Sequence, residues 1–126
     1  MYDFPDDPIL QAIVRNTYER GSIVAAICHG VGGLLNVTLS DGRYLITGKT
    51  ITGFNWFEES LARRKKRVPF NLEASLKERG AHYKKAFIPM TSMVLVDANL
   101  ITGQNPFSSK EMAKVVLYEL EKKAKK

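Results

Sequence analysis

The run Ser22-Ile23-Val24-Ala25-Ala26-Ile27 is apolar almost throughout and does not alternate. A strand with one wet face alternates polar and apolar residues. An unbroken run instead predicts a strand covered on both faces, as in a parallel sheet. The run stops at Cys28-His29-Gly30, and further glycines stand at 32 and 33. A chain carrying such a strand, closed by a sharp glycine-rich turn, is constrained toward α/β architecture.

The patterns around this strand agree. Asp7-Pro8 reads as an N-cap followed by proline at the first helical position. Leu10, Ile13, Val14, Thr17 and Tyr18 then share a face and Gly21 supplies a stop, which predicts a helix over 8–20. Gly30 to Asn36 is short and apolar enough for a buried helix. Asp41-Gly42 marks a turn. Residues 44–46 and 50–54 read as short extended pieces around Gly48. Leu72, Leu76 and Gly80 predict a helix near 70–79. Residues 93–96, the turn Asp97-Ala98-Asn99 and residues 100–102 predict a hairpin. Ser108 with Glu111 fits a capping box, opening a last helix whose stripe is Ala113, Val116, Leu117 and Leu120. The tetrapeptide LITG occurs at 45–48 and 100–103, but the flanks differ, so no repeat is assigned. Nothing divides the chain, and 1–126 reads as a single domain.

Composition narrows the classes further. The chain has 126 residues, 44% of them hydrophobic, which suits one domain with a core. No apolar run approaches the roughly 20 residues needed to span a bilayer, and no membrane association is expected. The acidic, turn-like start is wrong for a secretory signal. A single cysteine excludes an intramolecular disulfide, so a reducing, cytoplasmic location is the simplest expectation. The net charge of +6 is uneven: residues 1–60 hold 4 Lys/Arg against 7 Asp/Glu, and residues 61–126 hold 15 against 6. The block Arg63-Arg64-Lys65-Lys66-Arg67 reads as a solvated loop, and the Lys-rich tail as a helix end whose cations suit the dipole. No aromatics alternate with these cations, so a nucleic-acid groove is not expected.

Cys28 has two readings. A lone cysteine ending an apolar strand packs as a small hydrophobe in many proteins. The alternative is a nucleophile elbow, where the reactive residue sits on a tight strand-to-helix turn and small residues lie two positions either side. Ala26 and Gly30 fill those positions. A thiol there would face backbone N–H groups at a helix start, which favours thiolate and could hold a developing oxyanion. His82, in Gly-Ala-His-Tyr-Lys-Lys, reads as a surface residue.

Taken together, AAICHG with LLN, LSDGRYLITGKTITGF, EE at 58–59, VPFNLE at 68–73, LKERGAHY and LVDANLITGQNPFSS closely resemble the DJ-1/PfpI superfamily, within the class I glutamine amidotransferase-like fold. The likeness is to the branch of glyoxalase III and stress chaperone-like proteins, and it covers their second half. The resemblance implies a flavodoxin-like (Rossmann-like) three-layer sandwich with a mostly parallel sheet, here incomplete. It implies that Cys28 is the reactive cysteine with His29 as its partner, that a small aldehyde such as methylglyoxal is converted to lactate without glutathione, and that neither cofactor nor metal is required.

Two departures from the family pattern bear on activity. The acidic partner of the thiol and the glycine-rich loop belong to the family's first half, which has no counterpart in these residues. Some relatives also place an aspartate about 28 residues after the cysteine, where this chain has Trp56; Glu58 and Glu59 match a different feature. Activity is therefore expected to be weak or lost in this chain by itself. Completion by a homodimer or by pairing with a separate first half is expected. The competing readings are a non-catalytic chaperone-like or interaction fragment, and a cysteine peptidase or deglycase-like hydrolase.

Overall fold

The computed structural model describes residues 4–54, 71–87 and 91–124. The basic block at 63–67, together with Trp56, Glu58 and Glu59, lies outside the described residues.

Helix α1 spans Pro8–Glu19. The Asp7 side chain accepts hydrogen bonds from the Ile9 and Leu10 amides at 2.9 and 3.1 Å, and Pro8 opens the helix. Gly21, at φ 83°, follows the end of the helix. The inward face is the expected one except at Ile13. Val14 and Tyr18 pack on the core, while Ile9 and Ile13 stand 72% and 57% exposed. Two polar side chains hold the helix in this rotation: Gln11 donates to the Pro5 carbonyl, and Arg15 donates to the Thr38 carbonyl.

Strand β1, Val24–Ile27, leads to the site. The short strands β2 (Thr50–Ile51) and β3 (His82–Tyr83) pair in parallel as a separate two-stranded sheet. Strands β4 (Val94–Asp97) and β5 (Leu100–Gly103) form the expected antiparallel hairpin. Its turn places Ala98 in the left-handed region at φ 55°. The main sheet has the order β1-β5-β4, with β1 parallel to β5 in the register Val24–Leu100 to Ile27–Gly103.

Central β5 is buried at every residue. Strand β1 is covered less than its apolar run predicts: Val24 is buried, but Ala25 is exposed. Its pairing explains the difference. Among the described residues β1 bonds to β5 on one edge, and no strand pairs with the other.

Helix α2 spans Leu72–Glu78, capped by the Asn71 side chain on the Ala74 amide. Helix α3 spans Ser109–Ala124 and lies across the main sheet, against β1, β4 and β5. The two faces of that sheet follow from strand alternation. Val24, Ala26 and Leu100 belong with the main core of Val31, Leu34, Val37, Ile46, Ile51 and Leu76. Ile27 and Gly103 face the other way, where Met112 of α3 meets them. The architecture is the expected α/β sandwich in incomplete form.

Three local expectations are corrected. Residues 44–46 are not a strand: Tyr44 makes an isolated bridge with Thr38 and the chain then turns through Gly48. Leu45 and Ile46 are adjacent and both fully buried within this turn. Ser108 does not form a capping box with Glu111. It closes the 3-10 turn Pro106–Ser108, its hydroxyl serves the Met93 amide, and Glu111 bonds the Ser92 hydroxyl instead. Finally, α3 turns Met112 inward, while Ala113, Leu117 and Leu120 of the expected stripe are exposed and Val116 is half-buried.

Candidate active site at the end of the first strand

A 3-10 helix, Cys28–Leu34, begins directly at the end of β1. It starts at Cys28 itself, not at Gly30 as the glycine spacing suggested. Ile27 is still extended (φ −137°, ψ 144°), and Cys28 then takes φ 58°. This is the left-handed region, which costs a side-chain-bearing residue about 1–2 kcal/mol. The chain thus changes direction at the cysteine within one residue. Val31, Gly32, Gly33 and Leu34 are buried behind the turn, and their packing holds it in place.

This geometry removes the alternation that would send Cys28 and His29 to opposite faces. The Cys28 Sγ lies 3.6 Å from His29 Nδ1, and both side chains are half-buried. The structure therefore brings together the two residues that the sequence singled out. It leaves His82 elsewhere, exposed on β3 with its amide bound to the Lys49 carbonyl.

Phe54 is the residue that sequence reasoning missed. Its ring lies 4.4 Å from the His29 ring at a tilt of 36°, and its amide donates to the Cys28 carbonyl at 3.4 Å. It is 4% exposed, so it braces both halves of the elbow from the core side. Its position is fixed in turn through Gly53. A Cβ there would come within 3.2 Å of Val31 Cβ, and the Gly53 carbonyl accepts a 2.7 Å hydrogen bond from the Tyr83 hydroxyl. The only sequence signal was an aromatic after a glycine at the end of an extended piece, which does not point to a partner 25 residues away. Beside this brace, the Thr52 amide donates to the Thr102 hydroxyl, and the buried Thr52 Oγ1 has no hydrogen-bond partner among the described residues.

Chemically, a thiol on a strained turn with an imidazole nitrogen beside it suits nucleophilic addition to an electrophilic carbon, with the imidazole exchanging a proton. Among the described residues no group of three or more His, Cys, Asp or Glu is arranged to hold a metal ion. Among them, too, no helix is long and apolar enough to cross a membrane.

Comparison with known proteins agrees with the geometry. The DJ-1/PfpI family profile matches residues 2–119. A probable glutathione-independent glyoxalase of Schizosaccharomyces pombe, hsp3103, is 34% identical over 124 residues, covering 93% of this chain and 48% of that protein. The crystal structure of glyoxalase III from Candida albicans superposes with a TM-score of 0.84 at 30% identity, covering 93% of this chain and 51% of the other. The Rapid Encystment Protein 24 KDa of Francisella tularensis gives 0.87 at 39% identity, covering 91% and 51%. The chain spans about half the length of each of these proteins. With the profile matched across nearly its whole length, the chain belongs to the DJ-1/PfpI family.

Proposed function

We propose that this chain carries the thiol-bearing part of a glyoxalase III-type site, with Cys28 as nucleophile and His29 as its proton-transfer partner. The observation that carries the reading is the strained left-handed backbone at Cys28, on a strand-to-helix turn, with His29 Nδ1 3.6 Å from the sulfur. Strain of this kind persists only where the surroundings over-determine it, and it concentrates at functional sites. The glyoxalase names of the relatives supply the substrate class, a small 2-oxoaldehyde.

In the proposed reaction, the Cys28 thiolate adds to the aldehyde carbon of methylglyoxal. The new C–S bond forms as the carbonyl electron pair moves to oxygen, which takes a proton and gives a hemithioacetal. His29 removes the proton from the carbon bearing sulfur, and a proton returns at the neighbouring carbon, leaving a thioester. Water cleaves the thioester, releasing lactate and restoring the thiol. No external oxidant or reductant is involved, because one carbon is oxidised as its neighbour is reduced.

Full activity is proposed to need more protein than this chain. The edge of β1 that is unpaired among the described residues and the exposed Ala25 favour completion by the remainder of the relatives' length, supplied as a second polypeptide or by a second copy of the chain. The test is lactate formation from methylglyoxal, with and without a polypeptide matching the remaining half of a relative. Activity should rise on addition and vanish in Cys28→Ala. Lactate formation unaffected by Cys28→Ala would overturn the assignment.

One observation favours a second reading, a chaperone-like or interaction role without catalysis. Ile9, Ile13, Leu117, Tyr118 and Leu120 are each at least half exposed. Suppression of client aggregation that survives Cys28→Ala would support it.

A further inference from the structure

Beyond the end of β5, buried polar side chains gather beside the apolar core. Gly103 pairs with Ile27, so Gln104 and Asn105 follow at the level of the elbow. Both are fully buried, as is Ser108. Burying such groups unpaired costs about 1–3 kcal/mol each, and here each is satisfied. Gln104 Oε1 accepts from the Ala86 amide at 2.7 Å, and Asn105 Nδ2 donates to the Thr91 carbonyl at 2.7 Å. The Ser108 hydroxyl donates to Asn105 Oδ1 at 3.1 Å and accepts from the Met93 amide at 3.0 Å.

The backbone partners share one origin: Ala86, Thr91 and Met93 all belong to the connection between β3 and β4. One backbone bond, from the Gln104 amide to the Met93 carbonyl at 3.0 Å, ties that connection to β5, and side-chain amides and a hydroxyl supply the other ties. They fasten it at the carboxyl ends of β1 and β5, and ligands of open α/β sheets bind outside that end.

The geometry points to Gln104, Asn105 and Ser108 as positioning residues that strap residues 84–87 and 91–93 against the end of β5, forming the wall that limits what can approach Cys28. They act by fixing the path of the backbone beside it. The inference rests on Cys28 being the reactive thiol.

The experiment uses the chain's single cysteine as its own reporter. Alkylation of Cys28 is timed by intact mass with iodoacetamide and with the bulky N-(1-pyrenyl)maleimide, in wild type, Gln104→Met, Asn105→Ala and Ser108→Ala. Losing one net hydrogen bond of about 1 kcal/mol raises the loosened population about fivefold. The ratio of bulky to small rate should rise by about that factor while the small-reagent rate stays near wild type. Ser108→Ala removes a single hydroxyl and guards against unfolding of the others. In it the Met93 amide should exchange hydrogen faster while the core amides do not. An unchanged ratio in folded variants overturns the strap. Resistance of the wild-type thiol to iodoacetamide overturns the reading of Cys28, and the inference with it.

Discussion

Cys28 holds a backbone angle that glycine would hold without strain, and this defines what can be tested at the residue scale. Cys28→Gly should raise stability by up to about 1 kcal/mol, read as a higher melting temperature, while abolishing thiol chemistry. A lower melting temperature would mean that the side chain's packing outweighs its strain. The proposed role of Cys28 as nucleophile requires that the turn favour thiolate. The pH profile of iodoacetamide alkylation should therefore have its midpoint below the free-thiol value of about 8.5. A midpoint at or above that value would mark a structural cysteine. His29→Ala should lower the reactivity of Cys28 more than it lowers stability, because half of the ring lies outside the core; His82→Ala should alter neither. Cys28 was a candidate in the sequence because the elbow is a local pattern of small residues around a nucleophile; His29 entered only through the family resemblance. Phe54 was not a candidate, because its role consists of contacts with residues far away in the chain.

At the scale of elements, the caps behaved as local chemistry and the faces did not. Asp7 accepts from two amides of α1, so Asp7→Ala should cost about 1 kcal/mol, measured by denaturant unfolding. An unchanged midpoint would mean that water replaces the cap freely. Asp7 was readable because a cap is settled within four residues; the Asn71 cap appears only in the structure. Ser108 had the right spacing for a capping box, but its hydroxyl is taken by Met93, 15 residues away. α1 turns Ile13 outward because Gln11 and Arg15 bind the carbonyls of Pro5 and Thr38. Gly103 marks where α3 sits close to the sheet. A Cβ there would stand 3.0 Å from both Ile27 Cγ1 and Met112 Cε. These are flexible side-chain ends, so Gly103→Ala should destabilise modestly, whereas Gly103→Val should push α3 off the sheet and cost several times more, again read from the unfolding midpoint.

At the scale of the whole molecule, exposure is the telling property. Ile9 and Ile13 on α1, Leu117 and Leu120 on α3, and Ala25 on β1 all face solvent, and β1 has an unpaired edge among the described residues. The chain by itself should self-associate at micromolar concentration, visible by analytical ultracentrifugation. A polypeptide matching the rest of a relative should reduce that association and raise methylglyoxal turnover together. A monodisperse, fully active monomer would overturn the proposal that the site needs completion. The sequence by itself determined the class of the fold and the end of β1. These follow from local composition: an unbroken apolar run, a small-residue turn and caps that close within a few residues. Only the tertiary structure decided the left-handed turn at Cys28, the Phe54 brace, the buried ties at Gln104, Asn105 and Ser108, and which helix faces point inward. Those depend on which distant groups compete for the same hydrogen bonds and the same core volume, and no window of neighbouring residues contains that competition.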